Sequence, residues 1–381
     1  MKCSKLFEKV VLNNNVEIKN RLTVAPMVVF SATSDGSVTD EEREYLKQRG
    51  DDIGLFILGA ALINPESFIL PTFSSAMSDK DIPALQERAE IIKSHGAKAI
   101  CQINHAGAHG KTPLVPSSDI ALKDAEAKGQ KDKIFHEFTD LEIKEAIKQF
   151  VNAAELSIKA GYDGVEIHGA NNYLIQQLYS PHTNKRTDDW GGSDEKRMKF
   201  ALQIVDEICK LKDKYNCPKF IIGYRLSPEE PYEDGLTMTE TLKLVRKLVK
   251  KPLQYIHISQ KDYFKKARRG EGAGTERLKL IHDETKGKVA LIGVGGLLSE
   301  DDLVAATNSD FSEFVAVGCA CLLNPKLGIM LKEGKGEQLN LEIDPDHREK
   351  YFIPTNLWNM CLQGMDWMPP LKGKIKNKEE F

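Results

Sequence analysis

Short apolar runs alternate with amphipathic segments along most of the chain, and glycine or polar residues follow each apolar run. The run Gly54–Gly59 contains no polar residue, which is typical of a strand covered on both faces. The segment Thr39–Arg49 begins with an N-cap threonine and acidic residues and ends before Gly50, as a helix does. The predicted strands are Thr23–Ala25, Gly54–Gly59, Lys98–Ile103, Gly164–Gly169, Phe220–Arg225, Tyr255–Ser259, Val289–Gly293 and Phe314–Val317. The further predicted helices are Asp81–His95, Thr139–Ala160, Asp194–Lys212, Thr239–Lys250, Thr275–Thr285 and one that begins near Ser299.

The alternation of strands with helices predicts a parallel sheet. Eight strand–helix units fit a closed (β/α)8 barrel better than an open doubly wound sheet, and no G-x-G-x-x-G sequence opens a helix near the N-terminus. We therefore predict an α/β protein whose TIM barrel occupies about residues 20–328, within a single domain of residues 1–381. The loops that follow the strands carry the active site in such barrels.

Three stretches depart from the strand–helix rhythm. Residues 8–22 contain two short apolar runs around an asparagine-rich turn and are predicted to form an N-terminal hairpin. Residues 104–138, after the third strand, are rich in glycine, proline and charge, and we expect a surface excursion that resembles a lid. Residues 329–381 form an irregular C-terminal extension, whose aromatic residues we expect to pack over the barrel or over a partner subunit and whose last residues we expect to fray.

Composition narrows the class of protein. The 381 residues include 53 Lys and Arg and 56 Asp and Glu, and this near balance argues against a dedicated nucleic-acid-binding protein. The 7 cysteines form no C-x-x-C pair, so their spacing signals neither a zinc site nor an iron–sulfur cluster. The N-terminus lacks an apolar signal sequence, and no run approaches the ~20 apolar residues of a membrane span. We expect a soluble cytoplasmic protein that acts on a small molecule, alone or as a homo-oligomer, without binding nucleic acid or a membrane.

Candidate chemistry is concentrated at the end of the fourth predicted strand, where His168 is followed within one turn by Asn171 and Tyr173. An imidazole and an amide could donate to one oxygen and stabilise negative charge that develops on it. A phenol with an ordinary pKa of about 10 could deliver a proton to a carbanion-like carbon. For each residue alone, a hydrogen-bonded loop role is the simpler explanation. Their combination at the mouth of a barrel favours chemistry.

Two glycine-rich turns follow the last two predicted strands, Gly293–Gly296 and Gly318–Ala320. Isolated glycines usually make tight turns only. Two such turns after strands seven and eight of a barrel favour a phosphate site, because backbone N–H groups point at the anion there.

Further polar side chains end neighbouring strands. Arg225 suits an anionic or electron-rich edge of a ligand, although a salt bridge to Glu229 or Glu233 would also explain it. Gln102 could donate and accept at the edge of a heterocycle, or be a satisfied amide at the end of a strand. His105 and His109 lie in the excursion, and we expect them to be solvated loop residues.

These residues stand in motifs that resemble the old yellow enzyme family of FMN-dependent ene-reductases, in particular its bacterial branch. The resemblance covers about residues 5–328 and is most specific over His168–Leu174 and Ser180–Ser193. The supporting matches are Asn20-Arg21, Ala25-Pro26-Met27 and Gln102–Gly107.

The resemblance implies a (β/α)8 barrel that holds FMN. His168 and Asn171 would hold the carbonyl or phenolate oxygen of the substrate, flavin N5 would pass a hydride to the β-carbon, and Tyr173 would protonate the α-carbon. NAD(P)H would enter the same pocket first, which implies ping-pong kinetics. The implied FMN-binding residues are Pro26, Met27, Val28, Ala60, Gln102, His168, Arg225, Gly295, Gly296, Gly318 and Cys319, while Phe30 would join His168, Asn171 and Tyr173 beside the substrate.

Three positions depart from the pattern of the family. Val28 stands where the family usually has Thr or Cys, and a valine cannot hydrogen-bond the flavin. Cys319 replaces an arginine on the phosphate side, which removes a cation and leaves more to backbone N–H groups. Phe30 stands where the branch often has a tyrosine. The flavin potential and affinity are therefore open at the sequence level.

The sequence favours an FMN-dependent ene-reductase that uses NAD(P)H to reduce α,β-unsaturated carbonyl compounds. The same scaffold could instead oxidise a steroid-like or amine substrate, and Val28 is compatible with either reaction. A flavin-binding protein with reduced catalytic capacity, or a phosphate-binding barrel lyase without flavin, is the alternative from another class. The physiological substrate, the choice between NADH and NADPH and the oligomeric state do not follow from the sequence.

Overall fold

A computed structural model of the chain describes residues 2–67, 72–130 and 132–373. Its strands are β1 (Val10–Val11), β2 (Glu17–Ile18), β3 (Leu22–Val24), β4 (Leu55–Leu62), β5 (Lys98–Asn104), β6 (Leu114–Val115), β7 (His136–Glu137), β8 (Gly164–Gly169), β9 (Ile221–Leu226), β10 (Tyr255–Ile258), β11 (Ala290–Val294) and β12 (Phe314–Val317). Eight of these close into a parallel barrel in the order β3, β4, β5, β8, β9, β10, β11 and β12. This confirms the predicted (β/α)8 fold.

The helices lie between the strands, as the alternating pattern predicts. They are α1 (Asp40–Lys47), α2 (Ile82–Ser94), α3 (Ser118–Ala127), α4 (Asp140–Lys159), α5 (Leu174–Tyr179), α6 (Asp194–Lys214), α7 (Met238–Leu248), α8 (Arg277–Thr285), α9 (Glu300–Asn308), α10 (Cys319–Leu323), α11 (Leu327–Lys332) and α12 (Thr355–Gln363). Within the ranges that the structure describes, no helix is long and apolar enough to cross a membrane.

Local sequence signals explain where the helices begin. The Thr139 side chain accepts a hydrogen bond from the backbone N–H of Glu142 at 3.2 Å, and the Glu142 carboxylate accepts one from the backbone N–H of Thr139 at 2.8 Å. This reciprocal capping box satisfies backbone donors at the start of α4 that no helical carbonyl can reach. The helix predicted to begin at Thr139 is confirmed.

The barrel has two separate apolar layers, since its strands are buried on both faces. One layer lies between strands and helices; the other fills the interior and includes Ile100, Ile221 and Tyr255. Leu12 and Ile18 of the N-terminal hairpin belong to the interior layer, so the hairpin closes the amino end of the barrel. A ligand therefore has access to the barrel only from the carboxyl ends of the strands.

The excursion after β5 contains more regular structure than its composition suggests. It forms the parallel pair β6–β7 and the helix α3. The C-terminal extension likewise includes α12, and it packs on the chain's own barrel: the buried Arg49 guanidinium donates to the backbone carbonyls of Tyr351 and Cys321. Residues 374–381, where we expect fraying, lie outside the described residues.

Candidate active site

The carboxyl ends of the strands bring the predicted residues to one mouth. His168 in β8 and Arg225 in β9 are paired across neighbouring strands. A Cβ atom built on Gly59 would lie 2.8 Å from Cβ of Pro26 and 2.6 Å from Oε1 of Gln102, so only glycine permits this close approach of β4 to its neighbours. Three sequence-predicted residues on different strand ends, Pro26, Gln102 and the Ala60 that follows Gly59, are thus close together.

His168 is buried in this mouth, and its ring centroid lies 5.0 Å from that of Tyr173. Its Nδ1 has no hydrogen-bond partner among the described residues. Burial and the nearby Arg225 cation lower the pKa of His168 to about 3. The imidazole is therefore neutral at physiological pH and donates from one ring nitrogen only.

Asn171 has a left-handed backbone conformation with φ 57°, which asparagine adopts more readily than most residues. Its backbone N–H donates to Ser227 Oγ at 2.9 Å, and its side-chain oxygen accepts from Ser259 Oγ at 2.7 Å. These two bonds fix the amide and leave its N–H groups as the donors available to a ligand. The turn thus places a second neutral donor three residues after His168.

Tyr173 is half-buried, and its phenol remains an acid. Burial raises the pKa of Tyr173, although the Arg225 cation acts in the opposite direction. The phenol is therefore protonated at neutral pH and has a proton to give. The ring of His109 packs edge-on against Tyr173, with centroids 5.5 Å apart.

The two histidines of the excursion differ. His109 is exposed, as expected for a loop residue. The expectation for His105 is wrong: it is buried, its Nδ1 accepts from the backbone N–H of Gly107 at 3.0 Å, and its Nε2 lies 2.7 Å from Nδ2 of Asn64. Burial lowers the pKa of His105 to about 3, so it is a neutral structural residue that holds the turn after β5.

Arg225 is buried, and its Nε has no partner among the described residues. Burial lowers its pKa, while interaction with the buried Glu166 carboxylate raises it. The salt bridge to Glu229 that the sequence allows is not formed, because the Glu229 carboxylate accepts from Nε of Arg277 at 2.6 Å. The mouth thus contains a buried cation with one N–H that has no partner among the described residues.

Sequence reasoning missed two polar residues inside the barrel, Glu166 and His257. Glu166 Oε1 accepts from Nε2 of Gln102 at 2.7 Å, and Glu166 Oε2 lies 2.9 Å from Nδ1 of His257. Both residues are fully buried. In the sequence, Glu166 alternates with Val165 and Ile167, as a polar residue does on a strand with one face in solvent. In a closed barrel both faces of the strand are buried. The available signal is its position two residues before His168, which places both side chains on the interior face.

The two glycine turns occupy the expected end of the barrel. Gly295 has φ 130°, and a Cβ there would lie 2.7 Å from the backbone nitrogen of Asp262, so the position requires glycine. Gly296 is exposed in the same turn. A Cβ on Gly318 would lie 3.3 Å from Sδ of Met27, which brings the turn after β12 to the chain after β3.

The C-terminal extension packs over the barrel, as expected, and reaches the turn after β12 at this mouth, a contact that the sequence did not indicate. The Cys319 thiol donates to the carbonyl of Trp367 at 3.5 Å, and the Lys261 ammonium contacts the carboxylate of Asp366. In the sequence, only the aromatic residues of the extension hint at these contacts. Its position next to Cys319 follows only from tertiary packing.

Two of the three departures, Val28 and Phe30, lie in the chain after β3. Val28 is half-buried and packs against the main core. Phe30 is buried with φ 53°, and its ring meets that of Phe73 edge-on at 5.2 Å. The backbone carbonyl of Phe30 accepts from Nδ2 of Asn356 at 2.9 Å, so α12 fixes this loop.

These residues fit FMN. Arg225 and His168 offer buried N and N–H groups without partners among the described residues, Gly59 permits close approach of the backbone, and the glycine turns at Gly295 and Gly318 lie where the sequence predicts the phosphate. FMN held in the site would contact the Arg225 cation and the Gln102 amide. The neutral donors His168 and Asn171 would then lie beside the substrate.

Comparisons with known proteins agree with this fit. The sequence profile of the NADH:flavin oxidoreductase / NADH oxidase family matches residues 5–338. The probable NADH-dependent flavin oxidoreductase YqiG of Bacillus subtilis is 40% identical over 364 residues, which cover 96% of this chain and 97% of that protein. The NADH:fumarate oxidoreductase of Klebsiella pneumoniae is 34% identical over 368 residues, 94% of this chain but only 39% of that protein. The structure of Old Yellow Enzyme from Pichia sp. AKU4542 superposes with a TM-score of 0.75 at 24% identity, covering 98% of this chain and 95% of that one.

Proposed function

The chain belongs to the NADH:flavin oxidoreductase / NADH oxidase family, the FMN-dependent family of old yellow enzyme, and from this we propose that it reduces an activated C=C bond of an α,β-unsaturated carbonyl compound. NAD(P)H would first reduce the bound FMN, and the carbonyl compound would then take its place in the same pocket. The two half-reactions would alternate, which gives ping-pong kinetics.

The observation that carries this proposal is the end of β8 together with the turn that follows it. It places a neutral imidazole, a fixed carboxamide and a protonated phenol within six residues, at positions 168, 171 and 173. Hydrolysis or aldol chemistry would need an activated nucleophile or a general base, whereas these three groups are donors. Donors suit a reaction in which negative charge develops on an oxygen while a neighbouring carbon takes up a proton.

His168 and Asn171 would bind the carbonyl oxygen. Because the His168 imidazole is neutral, it donates without transferring its proton, and the Ser259 bond keeps the Asn171 amide oxygen away from the ligand. Hydrogen bonds that strengthen as the oxygen gains charge lower the barrier more than they lower the energy of the bound substrate. Removing one such donor typically costs about 10²–10³ in rate.

Tyr173 would protonate the α-carbon. Its phenol is kept in the acid form by burial, and the nearby Arg225 stabilises the phenolate that remains after the transfer. The proton lost from the Tyr173 oxygen is replaced from solvent, which reaches this half-buried residue.

When FMN is bound, it supplies the group that accepts a hydride from NAD(P)H and donates a hydride to the substrate. The residues that would hold its ring are Pro26, Met27, Val28, Ala60, Gln102, His168 and Arg225, and those that would hold its phosphate are Gly295, Gly296, Gly318 and Cys319. NADH is supported as the electron source by the names of the relatives, two of which couple NADH to fumarate or to acrylate, compounds with a C=C bond next to a carboxyl group.

A phenol titration tests the proposed oxygen site. The purified protein should absorb near ~450 nm and release FMN on denaturation. A para-substituted phenol added to the oxidised holoprotein should produce a long-wavelength charge-transfer band, and Asn171→Ala should weaken phenol binding by about tenfold or more, the loss of one charge-assisted hydrogen bond. Asn152→Ala, a change on the outer face of α4, serves as the control and should leave phenol binding unchanged. Equal binding by wild type and Asn171→Ala would contradict the proposed role of Asn171.

Dehydrogenation of an amine or a steroid-like compound on the same scaffold is the competing function. A structure of histamine dehydrogenase from Rhizobium sp. 4-9 superposes with a TM-score of 0.72 at 25% identity, covering 89% of this chain and 49% of that one. Anaerobic bleaching of the flavin by an amine, without reoxidation by an enone, would favour that reaction.

A further inference from the structure

A buried carboxylate inside the barrel, Glu166, has no role in the chemistry proposed above. Neighbouring strands place it in a polar cluster. In the register of the sheet, Gln102 of β5 lies opposite Glu166 of β8. Arg225 of β9 lies opposite His168 of β8 on one side and His257 of β10 on the other. Because side chains alternate along a strand, Glu166 and His168 project to the same interior face, Glu166 one layer deeper. The cluster lies directly beneath the mouth.

Glu166 is bonded on both oxygens. The Gln102 amide donates to Oε1 at 2.7 Å, and His257 Nδ1 lies 2.9 Å from Oε2. None of the Glu166 and His257 side-chain surface is exposed to solvent. Both oxygens are therefore satisfied without water, and a change at Glu166 leaves buried donors without a partner.

The hydrogen bond to Glu166 determines the orientation of the Gln102 side-chain amide at the mouth. With its Nε2 donating to Glu166, the amide has its Oε1 on the side of Gly59, where a built Cβ atom would be only 2.6 Å away. Gln102 is one of the residues assigned to the flavin ring. Glu166 thus fixes which end of that amide is presented to a ligand.

Glu166 also contributes one of the two charges of the cluster. Burial raises the pKa of Glu166, but His257, Arg225 and Gln102 together lower it by a larger amount. The pKa therefore lies below its usual value, and the carboxylate is ionised. Burial and Arg225 lower the pKa of His257, although Glu166 opposes them, and His168 is neutral as well. Arg225 and Glu166 are therefore one positive and one negative charge in a site of low dielectric, where each acts strongly on a ligand.

We propose that Glu166 is a positioning residue for the flavin, which orients Gln102 and offsets the positive charge of Arg225 so that the bound FMN has a lower midpoint potential than Arg225 alone would give it. The reasoning is electrostatic. Reduction adds negative charge to the ring system, a nearby cation favours the reduced form, and a nearby carboxylate opposes it. The inference depends on FMN occupying the site and not on which compound reoxidises it.

A redox titration of the holoprotein tests this role. Glu166→Gln keeps the size of the side chain and removes its charge, so the bound FMN should become easier to reduce. We expect the protein's affinity for reduced FMN, relative to its affinity for oxidised FMN, to rise by about tenfold or more. For a two-electron couple this corresponds to a rise in the midpoint potential of about 30 mV or more. The titration uses dithionite and reference dyes and contains no enone, so its result is independent of the proposed ene-reductase activity.

A matched control exists at the opposite end of the barrel. Glu313 forms the same kind of pair, with Oε1 3.0 Å from Nε2 of His282, and it also accepts from the backbone N–H of Leu291, the second residue of β11. Glu313→Gln should lower stability and leave the midpoint potential at the wild-type value. A Glu166→Gln protein that binds FMN with the wild-type potential, or a shift of equal size in Glu313→Gln, would overturn the proposal.

A second variant decides the matter if Glu166→Gln does not retain FMN. Glu166→Asp keeps the charge and shortens the side chain, so it should weaken the bond to Gln102 and lower stability while the potential stays near that of wild type. A positive shift of about tenfold or more in the affinity ratio for Glu166→Asp would show that charge is not what Glu166 contributes, and would overturn the proposal.

Discussion

The side chains at the mouth of the barrel have protonation states that burial and one cation impose. Burial and Arg225 together keep His168 neutral, with a pKa of about 3. Burial also keeps Tyr173 protonated. A neutral donor and a neutral acid beside a fixed cation can stabilise charge that appears during a reaction without losing their own protons beforehand. The reactivity of the site is thus a property of its environment as much as of its residue types.

Tyr173→Phe separates the two half-reactions. Without the phenol, reoxidation of the reduced flavin by an enone should slow by about 10²–10⁴, the usual contribution of a general acid, while flavin reduction by NAD(P)H should be nearly unchanged. Stopped-flow absorbance measures each step. Tyr179→Phe is the control, because the Tyr179 hydroxyl donates to the carbonyl of Glu240, away from the mouth. Equal loss of both half-reactions in Tyr173→Phe would contradict a proton-donor role.

The pKa of His168 predicts a pH-independent oxygen site. Since that pKa is lowered to about 3, His168 stays neutral at every pH above about 4. The dissociation constant of cyclohexenone from the oxidised holoprotein, a neutral carbonyl ligand that does not itself titrate, should therefore be constant between about pH 5 and pH 8. A transition near pH 6.5 that disappears in His168→Asn would show that His168 titrates normally and would refute this account.

At this scale the sequence locates the residues proposed to react but not the buried residues that support them. His168, Asn171 and Tyr173 stand together in one loop, and the resemblance assigns them separate roles. Glu166 and His257 were missed because a carboxylate in an alternating strand normally faces water, and only closure of the barrel turns that face inward. His105 was misassigned to solvent for a related reason, since its burial depends on contacts with Asn64 and Phe138.

At the scale of elements, strands were easier to predict than short helices. All eight barrel strands were found, and β4 continues three residues beyond its prediction, to Leu62. The helix α5 was missed because all six of its residues are buried, so it has no polar face and no helical period to detect. The helices α3 and α12 were missed because both lie in segments whose composition indicated irregular structure.

Besides its apolar packing, the N-terminal hairpin is tied to the amino end of the barrel by hydrogen bonds of Asn13. Asn13 Nδ2 donates to the carbonyls of Leu253 at 2.7 Å and Lys288 at 2.8 Å, just before β10 and β11. Asn13→Ala should lower the free energy of unfolding by about 1–3 kcal/mol, because two carbonyls lose their donor. Urea unfolding of the holoprotein measures this change.

Asn14→Ala is the matched control in the same turn. Asn14 donates one longer bond of 3.4 Å, to the carbonyl of Phe220, so its loss should be clearly smaller than that of Asn13→Ala. If the two variants were equally stable, the bonds of Asn13 would not be what fastens the hairpin.

At the scale of the whole molecule, the two ends of the barrel have different tasks. The hairpin fills the amino end with apolar side chains. The carboxyl end carries buried polar groups without partners among the described residues, Arg225 Nε and His168 Nδ1. The C-terminal extension then contacts the turn after β12 and the loop after β10 through Trp367 and Asp366. The barrel and its polarity were predictable from strand order alone, whereas the position of the extension depends on contacts between residues far apart in the sequence.

The central claim is that one pocket serves first NAD(P)H and then an activated alkene, with Tyr173 as the proton donor. The most direct measurement is an anaerobic double-mixing experiment that follows flavin absorbance near ~450 nm. NADH or NADPH should bleach the flavin, and cyclohexenone should then restore its absorbance with one enone reduced for each flavin reoxidised. A flavin that is bleached by either nucleotide but is reoxidised by no enone would contradict the account.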